Sequence, residues 1–154
     1  MFHRHDHDKC INTALQNAED ICAKKGVRLT EQRKQVFEYI WESHKPVKAY
    51  EILEKIAGKT GKIQPPIVYR ALDFLMENGL IHRIDSLNAF TGCLDPQSNH
   101  DTVFLICTTC GNADEYMSSE IKLAVSKAAK SNNFAAERTT IEINGQCEIC
   151  KNSP

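Results

Sequence analysis

Apolar residues recur at steps of three and four through most of the first half of the chain. Ile11, Ala14, Leu15, Ala18, Ile21 and Cys22 mark one face of a helix from Cys10 to Lys25, stopped by Gly26. Thr30 is placed to cap a second helix, with Glu31 in its first turn and Val36, Phe37, Ile40 and Trp41 as the buried stripe. A third, short helix is expected over Ala49–Ala57, with Ile52, Leu53 and Ile56 inward and Gly58 as its stop. The stretch GKTGKIQ then reads as a flexible basic loop. Pro65 and Pro66 open a fourth helix, because proline is tolerated in a first turn; Val68, Leu72, Leu75 and Met76 face inward and Gly79 ends it.

The period then changes from helical to alternating. LIHRID, a turn at SLN, and AFTGC predict a β-hairpin, and short helices followed by a hairpin are the pattern of a winged helix-turn-helix. Beyond Asp95-Pro96, VFLIC reads as a buried strand and NADEY as its partner. Ser118 or Ser119 caps a helix whose inner face is Ile121, Ala124, Val125 and Ala128, and FAAERTTIEI is a long strand ended by Asn144-Gly145. The expected class is α+β: an N-terminal winged-helix domain and a small C-terminal α/β domain. The second half has roughly 60 residues, which is thin for an independent core and calls for a metal, a partner subunit or both.

Composition narrows the setting. The chain has 154 residues, 42% of them hydrophobic, enough for one ordinary domain or two small ones. No run of 18 apolar residues is present, so no membrane span is expected. The first residues, MFHRHDHDKC, lack the apolar segment of a secretory signal. The expected location is therefore cytoplasmic, where thiols stay reduced and seven cysteines suggest metal or redox chemistry. Met1–Lys9, with three His and two Asp, reads as a flexible solvated tail. Net charge is −1, but it is unevenly spread: Lys24–Arg70 holds 11 Lys/Arg against 5 Asp/Glu, and Ser86–Pro154 holds 5 against 8. A basic half joined to an acidic half suggests two modules with different partners.

Four cysteines carry the strongest chemical signal. Cys107 and Cys110 form one C-x-x-C, and Cys147 and Cys150 a second. Each tight loop can present two thiolates to one ion, and two loops complete a tetrahedral Zn(Cys)₄ site with Zn–S near ~2.3 Å. Such an ion ties the end of the chain back to the first strand of this half and replaces core that a small domain cannot supply. A thioredoxin-like motif needs a βαβ setting, paired disulfides need an oxidising compartment, and a zinc deaminase needs an H-x-E and a P-C-x-x-C that are missing here.

A second set is weaker residue by residue. His82 alternates with Leu80 and Ile84 in the first hairpin strand, Cys93 ends the second, His100 lies in the connection, and Glu115 follows the first cysteine pair. Taken singly, each has an ordinary structural reading. Brought together, two imidazoles, a thiolate and a carboxylate suit four-coordinate zinc, in a site with fewer thiolates and so more exchangeable than the first.

RLTEQRKQVFEYI, AYEIL, PPIVYRALDFLMENGLIHRI and LICTTCGNADEY resemble the ferric uptake regulator family of bacterial metal-sensing repressors, over about Ile11–Cys150. Within the family the likeness is to its zinc-sensing branch. After the flexible tail over 1–9, the resemblance implies a winged-helix DNA-binding domain over 10–92, a hinge over 93–102 and a dimerisation and zinc-binding domain over 103–154. It implies a homodimer that binds double-stranded operator DNA when zinc is loaded and represses zinc uptake genes. No enzyme activity is expected, because no nucleophile or general base stands apart from the presumed ligand sets. Carried over by position, structural zinc falls on Cys107, Cys110, Cys147 and Cys150, and regulatory zinc on His82, Cys93, His100 and Glu115, two ions per subunit. The alternative is a relative that senses iron, manganese or peroxide; such relatives tend to carry a carboxylate where Cys93 stands.

For DNA, the fourth helix is the expected recognition helix, with Tyr69, Arg70 and Asp73 outward and Arg70 able to donate two bonds to guanine. The resemblance adds Tyr50. Arg28, Arg33, Lys48, Lys59 and Lys62 are phosphate candidates, and Arg83 a candidate in the wing.

Overall fold

The three-and-four periodicity folds as helices α1 (His7–Lys24), α2 (Glu31–Glu42), α3 (Ala49–Thr60) and α4 (Pro65–Glu77) in the computed structural model. The structure describes residues 7–43, 45–98 and 101–152. Most of the tail expected over 1–9 lies outside the described residues, although α1 begins at His7, before the Cys10 that the apolar pattern marked. A polar turn of helix carries no apolar mark, which is why the pattern started late.

Helix ends follow local chemistry. Thr30 caps α2, its hydroxyl accepting the Arg33 N–H at 3.4 Å. Helix α4 starts on Pro65 and stops at Asn78, after which Gly79 takes φ +71 and the Leu80 N–H reaches the Leu75 carbonyl at 2.9 Å. This is the left-handed exit that glycine adopts without a Cβ penalty. Helix α3 corrects the expectation: it runs through Gly58 and ends at Gly61, where φ is +86. A glycine inside a helix costs about 1 kcal/mol relative to alanine. Burial of Ile52 and Ile56 on the inner face of α3 offsets that loss.

The chain divides into two compact units, Met1–Ser98 and Asn99–Pro154. In the first, the four helices enclose one core. Ala18, Val36, Phe37, Ile52, Val68, Leu72 and Leu75 are all buried in it, and Cys22 lies among them as a core residue. Trp41, expected in the buried stripe of α2, packs against this core only partly buried. The hairpin β1 (Ile81–Ile84) and β2 (Ala89–Gly92) is antiparallel, with Ile81 opposite Gly92 and Ile84 opposite Ala89. Its turn holds Asn88 at φ +47. Val47, just before α3, bonds to Phe90 in both directions, at 2.9 and 2.8 Å, so the hairpin is stitched to the helical layer. Helices with an attached wing are the expected winged helix-turn-helix.

The second unit is a sheet of order β4-β3-β5. Strand β3 (Thr102–Cys107) pairs antiparallel with β4 (Ala113–Tyr116) and parallel with β5 (Thr140–Gly145). Helix α5 (Ser119–Ser131), capped by the Ser118 hydroxyl at 3.3 Å, connects β4 to β5, and α6 (Glu148–Asn152) follows. Two expectations are corrected here. Strand β5 begins at Thr140, because a parallel return after α5 takes connecting chain, and residues 134–138 serve as that exposed connection. No residue of α5 is buried; Ala124 and Ala128 of the expected inner face are exposed. The core of this unit is Val103, Phe104, Ile106 and Cys107 of the central strand.

Candidate metal centres and nucleic-acid interface

Strand register assembles the four cysteines. Parallel pairing sets Cys107, the last residue of β3, beside Gly145, the last of β5. The C-x-x-C loops that leave these two ends are therefore neighbours. The Thr108 N–H and hydroxyl both donate to the Gly145 carbonyl, at 2.8 and 3.0 Å, and the Gln146 amide donates to Thr109 Oγ1 at 3.1 Å. These bonds hold the two loops in register with each other.

The sulfurs of Cys107, Cys110, Cys147 and Cys150 all lie within 4.8 Å of one another. All four are free thiols, and the Cys110 and Cys147 sulfurs stand 3.9 Å apart, far beyond a disulfide. A tetrahedron of Zn–S bonds of ~2.3 Å has sulfur–sulfur edges of about 3.8 Å, so the spacing suits zinc. Electrostatics agrees. Backbone N–H groups of Cys110 and Cys147 bring the Cys107 thiol down to about 6; the Cys147 N–H lies 3.4 Å from its sulfur. Cys150 is pushed up to about 12, first by its hydrogen bond with Cys147 and then by burial and the remaining cysteines. Cys107 is thus the thiol that gives up its proton most readily, and Cys150 holds its proton the more tightly for standing beside the others. The set fits a structural zinc.

The second predicted set is met in parts. His82 on β1 and Cys93 just after β2 are both buried, at 7% and 2% exposure, and their donor atoms lie within 4.8 Å of each other. The hairpin causes this: the Cys93 N–H donates to the Leu80 carbonyl at 3.1 Å, extending the ladder past the strand end and bringing Cys93 alongside β1. Glu115 is half-buried in the middle of β4, opposite Phe104. His100 lies outside the described residues.

On the winged-helix unit, Tyr50 at the start of α3 and Tyr69 on α4 are exposed at 56% and 52%. Arg70 is exposed on α4, with its Nε donating to the Pro66 carbonyl at 3.3 Å. Asp73, Arg28, Lys48, Lys59 and Lys62 are exposed as well. Two of the expected phosphate cations are engaged in the fold. Arg83 bonds Asn88 Oδ1 at 3.0 Å and Asp85 at 3.4 Å across the hairpin turn. Arg33 is half-buried over the Phe74 ring. Nothing in sequence spacing marks Arg33 as different from the other basic residues of this half.

A winged-helix unit and a unit with a sulfur-only metal site define the class: a metal-binding transcriptional regulator. The chain belongs to the ferric uptake regulator family, which matches residues 24–144. It is 35% identical to the zinc uptake regulation protein of Escherichia coli over 137 residues, 88% of this chain and 80% of that protein. Among solved structures, a zinc uptake regulator complexed with zinc and DNA is similar with a TM-score of 0.86 at 31% identity, over 96% of this chain and 97% of that one. The crystal structure of holo XcZur is similar with a TM-score of 0.84 at 38% identity, over 92% of this chain and 99% of that one. Among the described residues, no helix is long and apolar enough to cross a membrane.

Proposed function

We propose that this chain is a zinc-responsive repressor that binds operator DNA as a homodimer when zinc is loaded and controls zinc uptake genes. The observation that carries the reading is the His82–Cys93 pair: an imidazole and a thiol, both buried, within 4.8 Å on the hairpin of the DNA-reading unit. Such a pair offers a nitrogen and a sulfur donor to one ion, and a thiolate donor favours zinc over iron(II) or manganese(II). The likeness to a regulator complexed with zinc and DNA supports the same choice.

Each subunit would hold two zinc ions. Cys107, Cys110, Cys147 and Cys150 would hold the structural one, and His82, Cys93, His100 and Glu115 the regulatory one. When bound, the regulatory ion supplies a removable cross-link and no reaction chemistry. His82 and Cys93 belong to one unit and Glu115 to the other, so residues that share an ion lose freedom relative to each other. Residues 93–102 would serve as the hinge that this restricts, and residues 103–154 as the dimerisation and zinc-binding domain. Two reading heads of restricted freedom engage two half-sites together without any new DNA contact. Exposure of Leu123 at 70%, Phe134 at 65% and Ile149 at 62% supports a second copy of this unit as the cover for its apolar surface.

Tyr69 and Arg70 on α4 would read the major groove, with Tyr50 contributing from α3. The test is operator binding at buffered free zinc, for the wild type and for Cys93→Ala. Binding by the wild type should rise with zinc, and the variant should stay weak while keeping its Cys₄ zinc. Equal zinc response in both would refute the sensing assignment.

A further inference from the structure

Arg33 is the one arginine of α2, and sequence reading groups it with the cations that meet phosphate. Its geometry is different. The guanidinium carbon sits 3.7 Å from the centre of the Phe74 ring, a stacked cation–π contact with the buried face of α4. Its Nη1 donates to the Arg28 carbonyl at 2.6 Å. The backbone N–H of the same residue is bound by the Thr30 cap. Arg33 therefore joins three pieces of this unit: the segment ahead of α2 that carries Arg28, the first turn of α2, and α4.

Its charge is felt inward too. Burial raises the thiol of Cys22 on α1, and the positive charges of Lys25 and Arg33 oppose that rise. Arg33 also borders a cleft of about 340 Å³ whose other lining residues are Thr30, Gln32, Ile67, Arg70 and Ala71. Arg70 thus lines the same cleft as Arg33, held along its own helix by the Pro66 carbonyl.

We infer that Arg33 is a positioning residue for DNA recognition and not a phosphate ligand: its planar fork fixes the Arg28 turn against α4, so that Arg28 and Arg70 are presented at a set spacing. The requirement is for the guanidinium plane. An ammonium keeps the charge but cannot stack flat on Phe74 while donating sideways to a carbonyl. This inference rests on the proposed DNA-binding role.

The test uses full-length zinc-loaded protein on two duplexes, one selected from a random-sequence pool by the wild type and one of random sequence. Wild type, Arg33→Lys, Arg33→Gln and Phe74→Leu are compared, each below its own thermal unfolding transition. Failure of the wild type to select any duplex sinks the DNA-binding reading itself, independently of Arg33. Given selection, Arg33→Lys and Arg33→Gln should lose selected-duplex affinity alike, by roughly tenfold or more, with random-duplex affinity and its salt slope unchanged. Phe74→Leu, which removes no charge, should shift the same selectivity ratio in the same direction. Rescue by Arg33→Lys, combined with a weaker random-duplex salt slope in Arg33→Gln, overturns the inference in favour of a phosphate contact. Wild-type selectivity in Phe74→Leu overturns it as well.

Discussion

Trp41 of α2 lies against the backbone of Gly92 so closely that a Cβ built on Gly92 would come within 2.4 Å of the indole Cε2. Gly92 is the last residue of β2 and immediately precedes Cys93. Trp41, Leu80 and Cys93 also line one cavity of about 290 Å³. The indole therefore fixes where the hairpin ends, and with it where the Cys93 thiol is presented.

Gly92→Ala should push the indole aside and displace Cys93. The expected cost is about 1–3 kcal/mol of stability, as for overpacking a filled site. Zinc should bind more weakly at the proposed His82–Cys93 site while zinc at the proposed Cys₄ site is unchanged. Trp41 is the only tryptophan of the chain, so its emission reports the displacement directly. An unchanged emission spectrum and an unchanged zinc titration would count against this linkage.

Removing one sulfur ligand should disable the second unit. Cys110→Ser leaves three of the four thiols proposed to hold zinc, in a unit where α5 has no buried residue and one strand supplies most of the core. The expected loss exceeds about 4 kcal/mol, the range of a lost structural metal. Thermal unfolding with zinc quantified in the purified protein measures it. A variant with full zinc content and a wild-type transition would contradict the structural role.

The Cys₄ site should bind zinc more tightly as pH rises. In the folded chain the Cys107 thiol is lowered from 9.0 to about 6. Its contribution is fully present above the unfolded value and is lost as pH falls through about 6. Cys150, raised to about 12, keeps its proton at neutral pH and must release it as zinc enters. Calorimetry in buffers of different ionisation enthalpy should show proton release at about pH 7.5, and competition with a chelator should show weaker binding at about pH 5.5. A pH-independent affinity would be inconsistent with this assignment.

Arg70→Ala should weaken binding to the selected duplex by roughly 1–3 kcal/mol and leave random DNA little changed, as for a base contact. Arg70 is exposed, and its Nε bonds only one turn back along its own helix, to the Pro66 carbonyl, so the fold should tolerate the change. Equal losses on both duplexes would assign Arg70 to phosphate instead.

Much of the site was legible because it is local. The four clustered cysteines come as two C-x-x-C loops, and each loop encodes its own geometry. His82 was legible from strand alternation, and Thr30 and Gly79 from the chemistry of helix ends. The α3 terminus was not legible, because burial of Ile56 outweighs the weak helix propensity of Gly58. Nor was the start of β5: FAAERTTIEI reads as uniformly strand-like, and only the length of chain needed to return parallel to β3 excludes its first half.

The order of local residues along the chain determined by itself the helices, the hairpin, the cysteine loops and hence the class of metal they suit, since each depends on neighbours within about one turn or one hairpin. Tertiary structure alone decided which groups are used twice. Cation–π stacking turned Arg33 from one basic residue among many into a brace, close approach of Trp41 made Gly92 obligatory, and parallel register brought Cys107 beside Gly145 so that the two loops share one centre. These are relations between residues far apart in sequence, and no local pattern of apolar and polar positions carries them.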